Sequence, residues 1–323
     1  MENSQSLAVI QAFAAQHGVR PADPLRQPLA SARADALAYQ GIWNEHLPPL
    51  ARRLDIAAQG RGGRDLRLRL FDSQPAGGPA RPVLVYFHGG GFALNGLDTH
   101  ERLLRLLAQR ANVAVLALGY SLAPEVRFPG QLEEAADTIA WLHEHGGAHG
   151  LDAQRFAVGG DSAGANLALA LTVALRERRL AGPTFGLLLY GMFSADLETT
   201  SHRQFGGGGF GLTTERVDWF WDQYLADRAQ RDHPLAAPLA ADLRHLPPQL
   251  IIAAGLDCLR DDSIALARRL ERADVTHHLS VYQGVPHSFM QMSAVLDSAQ
   301  AAIDEAAAAL ALALSPRQIQ AAE

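Results

Sequence analysis

The chain of 323 residues contains no lysine; every basic side chain other than its 13 histidines is arginine. That absence excludes a P-loop lysine, a pyridoxal Schiff base and a Ser–Lys dyad, because each needs an amine. A serine nucleophile in this chain must therefore take its base from histidine. Cysteine is nearly absent too: Cys258 stands alone, so there is no internal disulfide and no cysteine cluster for zinc or iron–sulfur. Long apolar runs are missing, the longest late one, Ala306 to Leu314, being far too short to span a bilayer. The opening stretch MENSQSLAVIQAFAAQHG has no positive charge before its apolar part and reads as an amphipathic helix, not a signal peptide. These features lead to the expectation of a cytoplasmic protein with no membrane span. The net charge is −6 and the arginines are spread out, which argues against nucleic acid or an anionic membrane as the main partner.

What is present is the composition of a soluble globular protein, 48% hydrophobic and 19% charged, with enough length to bury a large core. Residues up to about Leu54 read as helical, with no strand pattern. RDLRLRLF (Arg64 to Phe71) alternates polar and apolar as a half-buried antiparallel strand does. PVLVYF (Pro82 to Phe87) is a continuous apolar run, the mark of a strand covered on both faces. From there strands alternate with helices: VAVLAL, RFAVGG, TFGLLLY, QLIIAAG and HHLSVY are each set off by a helical segment. That order predicts an α/β fold with a mostly parallel central sheet flanked by helices. The stretch from Gly191 to Pro247 breaks the alternation, with a Gly-rich segment followed by a helix that Thr214 would cap, Glu215 in its first turn. The expected division is an N-terminal part of a helical cap (1–54), a first core piece (55–190), a cap insertion (191–247) and a second core piece (248–323).

Chemistry concentrates at strand ends. GDSAG (Gly160 to Gly164) follows an apolar strand and opens a helix, as a nucleophile elbow requires, and by chance G-x-S-x-G would arise roughly 0.1 times in such a chain. HGGG (His88 to Gly91) directly follows PVLVYF, and its chance expectation is roughly 0.01. Bare glycine amides there could point at a substrate oxygen; Gly89, Gly90 and, beside the serine, Ala163 are the expected donors to an oxyanion. The base is expected from a loop after the last strand, where VYQGVPHSF places His287. His277 and His278 lie within that strand and lack the reach. The acid is read as Asp257, in LDCLRDD just past a strand end, with Asp196 as the competitor; the strand of Asp257 immediately precedes the histidine's unit. Asp261 and Asp262 are read as the start of a helix whose dipole they complement.

Other clusters have ordinary readings. His143, His145 and His149 are taken as the C-terminal end of a helix, not a metal site, and no cofactor is implied. Among Phe210, Trp219, Trp221 and Tyr224 packing is the default, with Phe210 and Trp219 as the candidate pocket-lining residues. Gly206 to Gly209 has no following lysine and is no phosphate loop.

As a set, HGGGF, YSLAPE (Tyr120 to Glu125), GDSAGAN, LDCLRDD and PHSF resemble, in order and spacing, the hormone-sensitive-lipase-like branch of α/β-hydrolase esterases. HGGGFALNGLDTH, GDSAGANLALA and LLLYG look most like bacterial acetyl esterases. The resemblance runs from about Val83 to Phe289. It implies the α/β-hydrolase fold, hydrolysis of short-chain carboxylic esters without a cofactor, and Ser162, Asp257 and His287 as a catalytic triad. A small-molecule ester is the expected partner, with a homodimer as a further candidate. The chain departs from the family pattern at Ala165, where glycine is frequent, at Ser121, where arginine is frequent, and at Cys258, which replaces a proline. The rival readings are an amide-cleaving acyl hydrolase with the same machinery and a non-catalytic hormone receptor on the same scaffold, which can lack the histidine that His287 supplies.

Overall fold

The computed structural model describes residues 5–316. Eight strands form one sheet: β1 (Arg52–Gln59), β2 (Asp65–Asp72), β3 (Arg81–Phe87), β4 (Ala114–Leu118), β5 (Leu151–Asp161), β6 (Gly186–Leu189), β7 (Gln249–Leu256) and β8 (His277–Pro286). Their spatial order is β1-β2-β4-β3-β5-β6-β7-β8. β1 and β2 pair antiparallel, as do β2 and β4, and all later pairs are parallel. The nine α-helices of the described residues are α1 (Gln5–Gln16), α2 (Leu29–Gly41), α3 (Glu101–Arg110), α4 (Gly130–His145), α5 (Ala163–Glu177), α6 (Thr200–Phe205), α7 (Thr214–Tyr224), α8 (Arg260–Arg272) and α9 (Asp297–Ala313). None of them is long and apolar enough to cross a membrane.

The period-2 geometry of the central strands separates the core into two layers. On β3, Val83, Val85 and Phe87 pack into one cluster with residues of α4, α5 and α8, while Leu84 and Tyr86 pack into another with α3 and α9. α9 supplies Ala299, Ala302, Ile303, Ala306 and Leu310, one stripe at helical spacing. Both faces of the parallel strands are thus covered, which is why they read as unbroken apolar runs.

The first strand was not expected. β1 carries RRLDIAAQ, and only Ala58 of its eight residues is buried, so the edge strand shows neither an apolar run nor clean alternation. Arg52 to Leu54 thus belong to the sheet, opposite Asp72 to Leu70 of β2, and not to the N-terminal helical piece.

The order reverses between β3 and β5: β3 is followed in sequence by β4 on one side, and β5 by β6 on the other. In an open α/β sheet the crevice at the carboxyl ends of such a pair is where ligands bind. Residues 191–247 contain α6, α7 and two short 3-10 turns, and α7 lies against α2 there: Phe220 packs with Ala32, Ala36, Ala93 and Leu94. Arg33 of α2 clamps this arrangement. It donates to both carboxylate oxygens of Glu125 at 2.7 Å and to the carbonyls of Ala93 and Ala123 at 2.9 Å. The N-cap of α7 is Thr213, whose hydroxyl accepts from the Arg216 N–H at 3.1 Å, and not Thr214. Thr214 is already helical, and its hydroxyl meets His202 Nδ1 at 2.9 Å.

Candidate active site

β5 ends in Gly159-Gly160-Asp161 and α5 begins at Ala163, leaving Ser162 as the single residue of the turn. Its φ of 55° and ψ of −118° lie where an L residue is strained, at a cost of order 1–3 kcal/mol that the surrounding contacts must hold. The Ser162 N–H donates to the Leu189 carbonyl at 2.9 Å, and its own carbonyl accepts from Ala165, Asn166 and Met192. The flanking glycines serve the approach of strand to helix: a Cβ at Gly164 would overlap the Phe87 carbonyl, and one at Gly160 would overlap Gly164. Asn166 ties the elbow to residues 191–247, donating to the carbonyls of Met192 at 2.7 Å and Ala236 at 2.8 Å.

Three strand ends bring the polar side chains together. His287 follows β8, and its Nε2 lies 3.0 Å from Ser162 Oγ. Its Nδ1 lies 2.7 Å from Asp257 Oδ2, and Asp257, which follows β7, is buried, with Oδ1 accepting from the Leu259 N–H at 3.0 Å. Tyr190 meets the His287 ring edge-on at 5.2 Å between centroids, which restricts its orientation. The competitor Asp196 is exposed and turned to its own loop, accepting from the Glu198 N–H at 2.9 Å. Asp262 does more than complement a helix dipole. It is buried, its Oδ2 accepts from the N–H groups of Phe193 and Ser194, and burial pushes its carboxyl pKa up to about 8. His277 and His278 sit at the opposite end of β8.

The glycine loop departs from expectation by one residue. The Gly89 N–H donates to Asp161 Oδ1 at 2.9 Å, so it is already engaged, and Gly89 does not line the cavity. Gly90 and Gly91 do line it, beside Ser162 and His287. Among the described residues no protein acceptor takes the N–H of Gly90, Gly91 or Ala163. Gly91, which the sequence reading did not name, thus stands at the cavity with its N–H untaken among the described residues. Its φ of 59° and the Phe220 ring packed where its Cβ would stand both require glycine. In a Gly91→Ala chain the added methyl group would collide with the Phe220 ring and displace the residue 91 amide; a loss of about 10²-fold in kcat on an acetate ester is expected, the scale of an oxyanion donor moved out of reach, and steady-state kinetics beside a melting curve would check it.

Beneath this loop lies a buried polar network. Asp161 accepts from Tyr86 Oη at 2.9 Å, from the Gly89 N–H and from His100 Nε2 at 3.0 Å. Burial alone would raise the Asp161 pKa, but the nearby His100 and the hydrogen bonds from His100 and Tyr86 outweigh it and hold the carboxyl below its usual value. His88 stacks on Tyr120 at 4.1 Å, and its Nδ1 lies 2.9 Å from the Gly89 carbonyl. Burial, then repulsion from His100, pushes its pKa down to about 3, so the first residue of HGGG is a neutral support for the loop.

The cavity over Ser162 has a volume of about 370 Å³. Its walls come from α1, α2, the glycine loop, residues 208–220 and the loops after β7 and β8. Neither expected aromatic lines it. Phe210 is set edge-on to Phe205 at 5.2 Å, and Trp219 packs on Phe220. The reason is helical phase: Val217, Phe220, Trp221 and Tyr224 are the buried stripe of α7, and Trp219 falls off it. Phe220, Val217 and Arg216 face the cavity instead. The i, i+3, i+4, i+7 spacing was the signal in the sequence that points to Phe220 over Trp219. His143 and His145 close α4 and His149 ends the short 3-10 turn after it; His145 and His149 pack on Trp141 and His143 on Phe156. Cys258, where the family pattern has proline, is fully buried.

Comparison with known proteins agrees with this geometry. A profile of the alpha/beta hydrolase fold matches residues 84–291. An ethyl acetate hydrolase of Pseudomonas putida is 39% identical over 249 residues, 76% of this chain and 78% of that protein. An acetyl esterase of Salmonella paratyphi B is 33% identical over 290 residues, covering 89% of this chain and 88% of the relative. Among solved structures, an esterase of Pyrobaculum calidifontis superposes with a TM-score of 0.87 at 31% identity, over 95% of this chain and 98% of that one. The chain accordingly belongs to the α/β-hydrolase fold family, in its hormone-sensitive-lipase-like branch, and is a carboxylic ester hydrolase.

Proposed function

We propose that the protein hydrolyses short-chain acyl esters, acetyl to roughly hexanoyl, through an acyl-enzyme formed on Ser162. The observation that carries the reading is the unbroken chain Asp257–His287–Ser162, at 2.7 and 3.0 Å, beside the open amides of Gly90, Gly91 and Ala163. Asp257 accepts Nδ1–H of His287, which leaves Nε2 as the acceptor facing Ser162 Oγ. As Oγ bonds to the ester carbonyl carbon, Nε2 takes its proton, and the carbonyl oxygen becomes an oxyanion held by the three N–H groups. Collapse breaks the bond to the alcohol oxygen, which receives the proton from the imidazolium. Water, deprotonated by the same Nε2, then repeats the sequence on the acyl-enzyme and frees the acid. Among the described residues, 5–51 and 191–247 act as the cap, and 52–190 and 248–316 as the two pieces of the catalytic core.

Two things support the short-chain limit. The cavity, at about 370 Å³, lies near the lower end of small-molecule sites and must hold both the acyl and the alcohol part. The relatives named above are an acetyl esterase and an ethyl acetate hydrolase. In stopped-flow experiments on p-nitrophenyl esters from acetyl to decanoyl, the expected result is a burst of about one p-nitrophenolate per active site where deacylation is slower. The maximum of kcat/KM should fall at or below hexanoyl, and a maximum at decanoyl would overturn the limit.

A further inference from the structure

Arg216 stands in the first turn of α7, and its half-buried side chain lines the same cavity as Ser162 and His287. Among the described residues no aspartate or glutamate lines that cavity, and apart from His287, Arg216 is the one basic side chain on its walls, the rest being uncharged residues such as Leu, Met, Phe, Gly and Ala. Among the described residues the Arg216 guanidinium makes no hydrogen bond and no ion pair, and its Nε is buried without a partner. Burial lowers its pKa, the mark of a charge drawn from water, although an arginine stays protonated at any working pH.

The neighbourhood is not short of carboxylates. Asp218 and Asp222 lie on the same helix, but both engage Arg231, at 2.7 and 2.8 Å, and Arg228. Asp23 reaches Arg216 only through longer-range attraction and pairs with Arg26 at 3.5 Å. Other part-buried arginines do find carboxylates, as Arg33 does with Glu125 and Arg69 with Asp55 and Asp98. Gln40 of α2, on the wall of this cavity, also has a buried side-chain oxygen without a partner. A charge withdrawn from water and left unpaired is costly unless something that binds there completes it.

We propose that the preferred ester of this site carries a carboxylate in the part that extends under α7, and that Arg216 is the residue that binds it. The forked guanidinium suits a carboxylate, which can accept two parallel N–H bonds, and Gln40 can turn its amide to add a donor. The inference rests on the esterase reading of Ser162 and narrows its substrate class.

The test compares matched esters that differ by a carboxylate in place of a methyl group, followed by pH-stat titration. Ethyl hydrogen succinate against ethyl butyrate places the charge in the acyl part. Acetoxyacetate against ethyl acetate places it in the alcohol part. For each pair the ratio of kcat/KM, acidic over neutral, is measured for the native chain, Arg216→Gln and Arg216→Lys; comparing ratios between chains cancels the intrinsic reactivity of the esters. The expected result is a ratio that falls about tenfold to a hundredfold in Arg216→Gln on one pair, with an intermediate value in Arg216→Lys. The pair that responds tells which end of the ester lies under α7. An unchanged ratio on both pairs, or an equal loss on acidic and neutral members, overturns the inference and leaves the esterase reading standing. Turnover of the neutral esters that survives Ser162→Ala would overturn the assignment of Ser162 as nucleophile, and this inference with it.

Discussion

Ser162→Ala is expected to lower kcat on p-nitrophenyl acetate by roughly 10⁶-fold and to abolish the burst. The size follows from the geometry. The hydroxyl is the one group within reach of His287 Nε2, at 3.0 Å, that can form a bond to the carbonyl carbon. Without it the histidine has no proton to accept in the first step, and the remaining amides can only hold the ester. The fold should survive. The contacts that keep residue 162 in its strained turn come from the backbone, to Leu189, Ala165, Asn166 and Met192, while the hydroxyl reaches only His287. Unfolding free energies of the two chains should therefore agree within about 1 kcal/mol, and binding of a short ester to the inactive chain should be retained. A variant that kept even a hundredth of the native rate, with contaminating hydrolases excluded, would remove Ser162 from the mechanism.

The second large effect is expected at the acid. Asp257→Asn should reduce kcat by about 10⁴-fold at neutral pH. The local hydrogen bonds explain why an isosteric amide is so damaging. Oδ1 of Asp257 accepts from the Leu259 N–H, so the oxygen of the amide must stay on that side. Its NH2 group is then forced toward His287 Nδ1, where Oδ2 stood at 2.7 Å. An amide N–H donor there requires Nδ1 to be the unprotonated nitrogen, which puts the proton on Nε2 and leaves no acceptor for the serine hydroxyl. Measuring kcat for Asp257→Asn beside Asp196→Asn decides the assignment. A large loss in the second and none in the first would transfer the role to Asp196, against its exposed position.

Most of this machinery was legible from residues and their order, because each piece is a local consequence of the chain. GDSAG and HGGG each follow a strand in the sequence, and a strand end is where a parallel sheet presents loops. The order Ser162, Asp257, His287 follows the order of β5, β7 and β8, so the three meet once the strands lie side by side. The errors share a different origin. β1 is a charged edge strand, held by its pairing with β2 and not by burial of its own side chains. Gly89 and Gly91 are indistinguishable as letters; which amide is open depends on where the Asp161 carboxylate sits, and that carboxylate belongs to the next strand over.

Composition, patterning and motif order by themselves pointed to an α/β protein with a mostly parallel sheet, to a serine and not a lysine or cysteine as its nucleophile candidate, and to His287 and Asp257 as that serine's candidate partners, with Asp196 as the competing acid. They act through the backbone and through neighbours a few residues apart, where strand period, glycine and chain order are decisive. The tertiary structure alone decided which glycine amides stay open, that Phe220 and not Trp219 faces the cavity, and that Arg216 stands there without a carboxylate. Each of those outcomes is a matter of which groups, distant in sequence, compete for the same hydrogen bond or the same few ångströms of space, and that competition exists only once the helices and strands are packed.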